Sequence, residues 1–101
     1  MTEQIYTLAK WVVRPGREDD FAAAWRALGA QFRKLPSPPI GDGKLLQSLT
    51  NPAVHYSFGP WESAKAIAAM REDPSAQAAI QKVVALCEDA QPGSYRLVAK
   101  S

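Results

Sequence analysis

Residues 4–13, QIYTLAKWVV, constrain the fold of this chain more than any other stretch. Their β-branched and aromatic side chains favour a strand, and Arg14-Pro15-Gly16 stops it with a turn in which Pro fixes one φ and Gly relaxes the next. A strand with one wet face alternates polar and apolar residues. This one is apolar on both parities, with Ile5 and Trp11 on one face and Leu8 and Val12 on the other. Both faces therefore need cover, supplied by the rest of the chain or by another copy of it.

The rest of the chain is short. At 101 residues it has room for a single domain, read here as residues 1–101. A domain of this size buries only about 60–70% of its unfolded surface, so pairing with a second copy is a ready way to enlarge its core. An apolar fraction of 47% with 22% charged residues is that of a globular protein rather than a disordered one. Twelve Lys and Arg against ten Asp and Glu leave +2, with the basic residues scattered from Lys10 to Lys100. They form no run or stripe that would follow a phosphate backbone, so no nucleic-acid partner is expected.

The single Cys87 allows no intrachain disulfide, and the sequence has no Cys/His spacing of a zinc site, so no metal is expected and a reducing cytoplasm suits the chain. The opening MTEQIYTLAK lacks the basic start and apolar core of a signal peptide, and no apolar run approaches the roughly 20 residues that span a bilayer. A cytoplasmic protein without membrane contact is the expectation.

Residues 17–35 carry acids at their start and Arg33-Lys34 at their end, as a helix dipole favours. Phe21, Trp25, Leu28 and Phe32 recur at i, i+4, i+7 and i+11, which predicts one apolar stripe. Gly29 within it costs about 1 kcal/mol relative to Ala, which suggests a close packing partner opposite. Residues 36–43, rich in Pro and Gly, form a loop, either a stiff connector or a lid over a pocket mouth.

A strand over 44–50, a turn at Asn51-Pro52 and a strand over 53–59 predict an antiparallel hairpin, with Val54, Tyr56 and Phe58 on one face and His55 and Ser57 on the other. Gly59-Pro60 predicts a corner, with Pro60 the first residue of a helix that Trp61 opens and that runs to Asp73. Asp73-Pro74 predicts the N-cap and N1 of a second helical piece over 75–90, whose stripe is Ile80, Val83, Val84 and Cys87. Gln91-Pro92-Gly93 predicts a turn, and residues 94–100 a last strand. The order is β-α-β-β-α-β, a ferredoxin-like α+β domain with a four-stranded antiparallel sheet and its helices on one face. Two helical arms cover one face only, so the second face is expected to close over another copy as a homodimer.

Several short motifs resemble the antibiotic biosynthesis monooxygenase (ABM-like) family, whose members are dimeric α+β barrels. They are Arg14-Pro15-Gly16-Arg17-Glu18 before an Ala- and Trp-containing helix, Trp61-Glu62-Ser63 after the third strand, and Asp73-Pro74-Ser75 at the helix break. The likeness spans nearly the whole chain. It implies a cofactor-independent monooxygenase that oxidises a small aromatic or quinol-like substrate with O₂, with the deprotonated substrate itself the electron donor. Such chemistry needs an apolar pocket, proton acceptors or hydrogen-bond donors, and exclusion of water. A haem-cleaving branch of the family uses an Asn, a Trp and a His where this chain has Ala9, Met70 and an apolar residue near Ile80, which argues against that activity. Gly59 stands where many members carry an acid, which favours the alternative of a non-catalytic small-molecule-binding or stress-related barrel.

Histidine is the side chain that changes charge near neutrality, so His55, the only one, is the natural general base. Its bland reading is a structural or interface residue, and if Tyr56 and Phe58 face the helices, His55 faces the dimer partner. Trp61 offers an indole N–H at a pocket rim, or caps the helix–sheet seam. Tyr56 and Phe58, with Trp25 and Met70, are expected to wall a substrate pocket or fill the core, and Arg71 to steady an anionic intermediate or to stand as a plain surface charge.

Overall fold

The first strand, β1 (Ile5–Val13), is paired along both edges and is the axis of the molecule. The computed structural model describes residues 3–101; Met1-Thr2, the start of the segment read for a leader, lie outside them. After β1, Gly16 takes φ +81°, the left-handed conformation that a turn requires and glycine adopts without strain. Then come α1 (Glu18–Phe32), β2 (Lys44–Gln47), β3 (Val54–Trp61), α2 (Ala64–Glu72), α3 (Pro74–Val84) and β4 (Cys87–Arg96). The sheet runs β2-β3-β1-β4, antiparallel throughout, and the fold is the expected ferredoxin-like α+β arrangement with a broken second helical arm.

The break is made by Asp73, whose side chain accepts from Ala76 N at 2.9 Å while Pro74 follows as the first helical residue. Ser63 caps α2 in the same way, accepting from Ala66 N at 3.1 Å. Removing such an acceptor leaves an orphan donor at the helix start. Asp73→Ala should therefore cost about 1 kcal/mol, or roughly 4–8 °C in Tm for a domain of this size, while Asp73→Asn retains most of it; thermal denaturation measures both.

Several boundaries differ from expectation, beginning with β2, which ends at Gln47 rather than running to residue 50. Pro60 and Trp61 end β3 rather than start a helix, and α2 begins three residues later. By then β2 has ended, and Pro60 O accepts from Ile40 N of the loop at 3.1 Å, so the missing N–H of Pro60 faces a side with no ladder to lose. Residues 87–90, expected as the end of a helix, form the start of β4, so Cys87 belongs to a strand and not to a helical stripe; the strand expected over 94–100 ends at Arg96. The local signals of Gln91-Pro92-Gly93 yield to the second edge of β1, which needs a partner from end to end. Pro92 is tolerated because β4 is an edge strand, and one extra residue, Glu88, bulges between the Val12–Asp89 and Val13–Cys87 pairs.

Odd-numbered residues of β1 and β3 face the helices, among them Ile5, Ala9, Trp11, Val13, His55, Ser57 and Trp61, all buried. The core they form is in two parts. One gathers Trp11, Val13, Phe21, Leu28, Val83 and Cys87; the other gathers Ile5, Trp61, Ile67, Met70 and Ala76; Phe32 and Ile80 touch both. The opposite face carries Leu8, Val12, Val54 and Phe58, half-buried, and the exposed Leu46, Tyr56 and Tyr95. The molecule is a slab 18 Å thick, a sheet and one helical layer, and among the described residues no element covers that second face. Among the described residues no helix is long and apolar enough to cross a membrane.

Burial lifts the Cys87 thiol above its ordinary 9.0; Arg14 pulls the other way and Asp89 adds to the rise. The folded state thus holds this proton more tightly than the unfolded chain does. Its contribution to stability is complete below the ordinary value and is lost as pH rises through the folded one. Urea midpoints should fall more steeply above about pH 9 in the wild type than in Cys87→Ala, which lacks the group.

Candidate functional site

Between the two core clusters the sheet is floored with small residues. Pairing of β3, β1 and β4 lays out Ser57–Ala9–Pro92 as one row and Gly59–Thr7–Ser94 as the next. The row beyond one end is His55–Trp11–Ala90 and beyond the other Trp61–Ile5–Arg96. Large rings stand at the two ends and almost nothing rises from the middle. With strands about 4.8 Å apart and a rise of about 3.4 Å per residue, the floor is roughly 10 Å across and about 7 Å between its rows.

A cavity of about 780 Å³ lies above this floor, under α1 and α3. Its walls are Trp11, Trp25, Phe32, Trp61, Met70 and Ile80, so all three tryptophans of the chain reach it. That explains why the α1 stripe is unevenly covered: Phe21 and Leu28 are buried, while Trp25 and Phe32 stay half-exposed toward the void. Gly29 has no partner opposite, contrary to expectation, since a Cβ there would meet nothing within 4 Å; it opens onto the cavity instead. The 36–43 loop closes one end, where Gly43 and Gly59 pass so closely that a Cβ on Gly59 would sit 3.2 Å from Gly43 Cα.

The two end tryptophans brace the floor reciprocally. Trp11 Nε1 of β1 donates to Ser57 Oγ of β3 at 2.9 Å, and Trp61 Nε1 of β3 donates to Thr7 Oγ1 of β1 at 3.1 Å. Each hydroxyl spends one lone pair on an indole and keeps its own O–H as a donor at the cavity floor. Arg71 and Ser94 meet across the β4 side of the mouth, Arg71 Nη2 donating to Ser94 Oγ at 3.1 Å.

Of the residues singled out in the sequence, Trp25, Phe58, Trp61, Met70 and Arg71 border this cavity and His55 and Tyr56 do not. Trp61 is 2% exposed at the seam between helices and sheet, edge-on to Phe32 at 5.2 Å, and not at a rim. Phe58 contributes from β3, although its parity is that of the open face; Tyr56 lies on that open face, 42% exposed. His55 faces the helices rather than a partner. Its ring lies 5.0 Å from that of Phe21, and Nδ1 is 3.2 Å from the carbonyl of Ala53, an acceptor that requires the proton on Nδ1. Tyr56 and Phe58 share one face and His55 takes the other, as expected, and it is His55 that faces the helices, because the odd positions of β3 pair with the odd positions of β1 that carry Ile5, Ala9 and Trp11.

Thr7, Ala9, Trp11 and Ser57 carry no titratable group that would mark them in the sequence. Their signal is a repeat of small-x-small-x-Trp: Thr7-Leu8-Ala9-Lys10-Trp11 in one strand and Ser57-Phe58-Gly59-Pro60-Trp61 in the other. Paired antiparallel, the two copies place their tryptophans at opposite ends of one hollow.

SnoaB, a cofactor-independent oxygenase from Streptomyces nogalater, superposes with a TM-score of 0.81 at 15% identity, over 99% of this chain and 96% of that one. A protein assigned as an antibiotic biosynthesis monooxygenase in Bordetella bronchiseptica superposes at 0.83 and 21%, over 97% and 100%. The fold is that of the antibiotic biosynthesis monooxygenases. A protein similarly assigned in Nitrosomonas europaea agrees, at 0.76 and 18%, over 94% and 90%. No protein-family profile and no curated protein matches the sequence. At these identities the likeness to antibiotic biosynthesis monooxygenases is one of fold, and the function rests on the cavity.

Proposed function

We propose that this chain is a cofactor-independent oxygenase, one domain per subunit and homodimeric through the open face of its sheet, that takes a flat aromatic substrate onto the floor between Trp11 and Trp61. The observation that carries this reading is the cavity: about 780 Å³, walled by aromatic side chains and floored by small ones, with two hydroxyl donors fixed in it. The named activity of SnoaB and the shared fold support it.

In such a site the substrate supplies the electrons. A ring CH₂ conjugated to a phenol gives up a proton to solvent, the carbanion adds O₂ to form a peroxide anion, this takes a proton back to become a hydroperoxide, and loss of water leaves a carbonyl. One oxygen atom enters the product and the other leaves as water; the four electrons lost by the carbon are the four that O₂ accepts. The part left to the protein is to hold the ring, keep out water and steady the oxyanion, for which the Thr7 and Ser57 hydroxyls are placed. His55 does not touch the cavity, so in this reading it supports Phe21 rather than taking the proton. The dimer would remove Leu8, Val12, Tyr56 and Tyr95 from water.

The test is oxygen consumption by chelator-treated protein with a panel of anthrones and hydroquinones. One O₂ per product is expected, with kcat lowered about 10- to 100-fold by Ser57→Ala and by Thr7→Val. The second reading, a binding protein without turnover, is favoured by the lack of any Asp, Glu or His among the described cavity-lining residues. Tight binding across the panel without oxygen uptake would decide for it.

A further inference from the structure

We propose that the cavity takes its aromatic ligand as an acid already ionised in solution, with a carboxylate seated on Arg71 at the β4 side of the mouth. The proposal rests on the cavity being a ligand site but not on what is done to the ligand there.

The charge of the lining is one-sided. Arg26, Arg33 and Arg71 all line the cavity, and all three are exposed, which places them at its mouth. Among the described lining residues none is Asp, Glu, Lys, His, Tyr or Cys. Arg33 reaches Asp42 of the loop at a loose 3.7 Å, with both side chains largely in water. Neither Arg26 nor Arg71 has a carboxylate within salt-bridge distance among the described residues. A concave apolar site ringed by one sign of charge concentrates ligands of the other sign.

Arg71 is the best placed of the three. Its bond to Ser94 holds the guanidinium across the gap between α2 and β4, using one of five N–H donors and leaving a fork that matches a carboxylate in two-point fashion. An ionised group suits that fork and the positive mouth better than a neutral one. A carboxylic acid is ionised at any pH above about 5, whereas a simple phenol, at about 10, is not.

Calorimetric titration with 2-naphthoate and with its neutral isostere 2-naphthamide, at pH 7.5 and low salt, tests this. Naphthoate should bind about 10-fold more tightly, and the preference should shrink toward equality in 0.5 M NaCl as screening rises. Arg71→Gln should weaken naphthoate about 5- to 10-fold and leave naphthamide unchanged. Lys82→Gln removes one positive charge from an exposed site that does not line the cavity and should change neither. Equal binding of acid and amide, or an Arg71→Gln loss shared by both, overturns the proposal while leaving the cavity a ligand site. Binding of neither overturns both, and oxygen uptake is read separately.

Discussion

Replacing Phe21 with alanine should destabilise the protein by about 3–5 kcal/mol, roughly a fifth or more of the 5–15 kcal/mol that holds a domain of this kind together. Phe21 is fully buried, edge-on to Trp11 at 5.8 Å and tilted against His55 at 5.0 Å, in the larger of the two core clusters. Neither ring partner can follow a shrinking side chain: Trp11 is tied to Ser57, and His55 to the Ala53 carbonyl. The cavity would therefore stay open, and cavity volume is what makes large-to-small changes costly. Phe32→Ala is the informative contrast. That ring already borders the natural void and is half-exposed, so its removal forfeits fewer contacts and should cost clearly less. Urea midpoints at unchanged slope measure both, and a cost below about 2 kcal/mol for Phe21 would mean that the cluster collapses freely.

What the sequence made legible is what periodicity and capping encode. The double-sided apolar pattern of β1 marks a strand whose two faces both need cover, and the Phe21–Trp25–Leu28–Phe32 spacing marks α1. Asp73-Pro74 read correctly as a cap and first turn because that geometry is local. Gly59-Pro60 and Gln91-Pro92-Gly93 misled for the opposite reason. Their turn preference is worth little beside a hydrogen-bond ladder to β1, and whether proline breaks a strand depends on which side has a neighbour, a tertiary fact.

The site was harder to read because it is built from absence. His55, the titratable side chain that stands out in the sequence, lies under α1 against Phe21, while the cavity is made where Ala9, Gly59 and Gly29 decline to fill space. Trp61 and Arg71 were found for their chemistry; Thr7 and Ser57 emerge only when the two small-x-small-x-Trp segments are set antiparallel and the indoles are seen to cross-brace. Residue types that look inert one at a time thus build the cavity on which the proposed function rests.

On the proposed reading, Ala9 is a position where binding should respond strongly to substitution. It sits at the centre of the floor, between Ser57 and Pro92, with its side chain on the helix face. Ala9→Phe should abolish ligand binding, by 100-fold or more, with the fold retained. Overpacking a closed core costs about 1–3 kcal/mol, but here the new ring has a void of about 780 Å³ to enter, and the apolar area it buries, worth about 1.5–3 kcal/mol, offsets the strain. Melting temperature should hold or rise as binding disappears. Lys10→Phe sharpens the test, because one step along β1 puts the same ring on the opposite face, where it should leave binding in the cavity intact. Titration with 2-naphthoate reads both variants. If Ala9→Phe still binds the acid at wild-type strength, the ligand lies elsewhere, and the hollow between the tryptophans is only a fault in the packing.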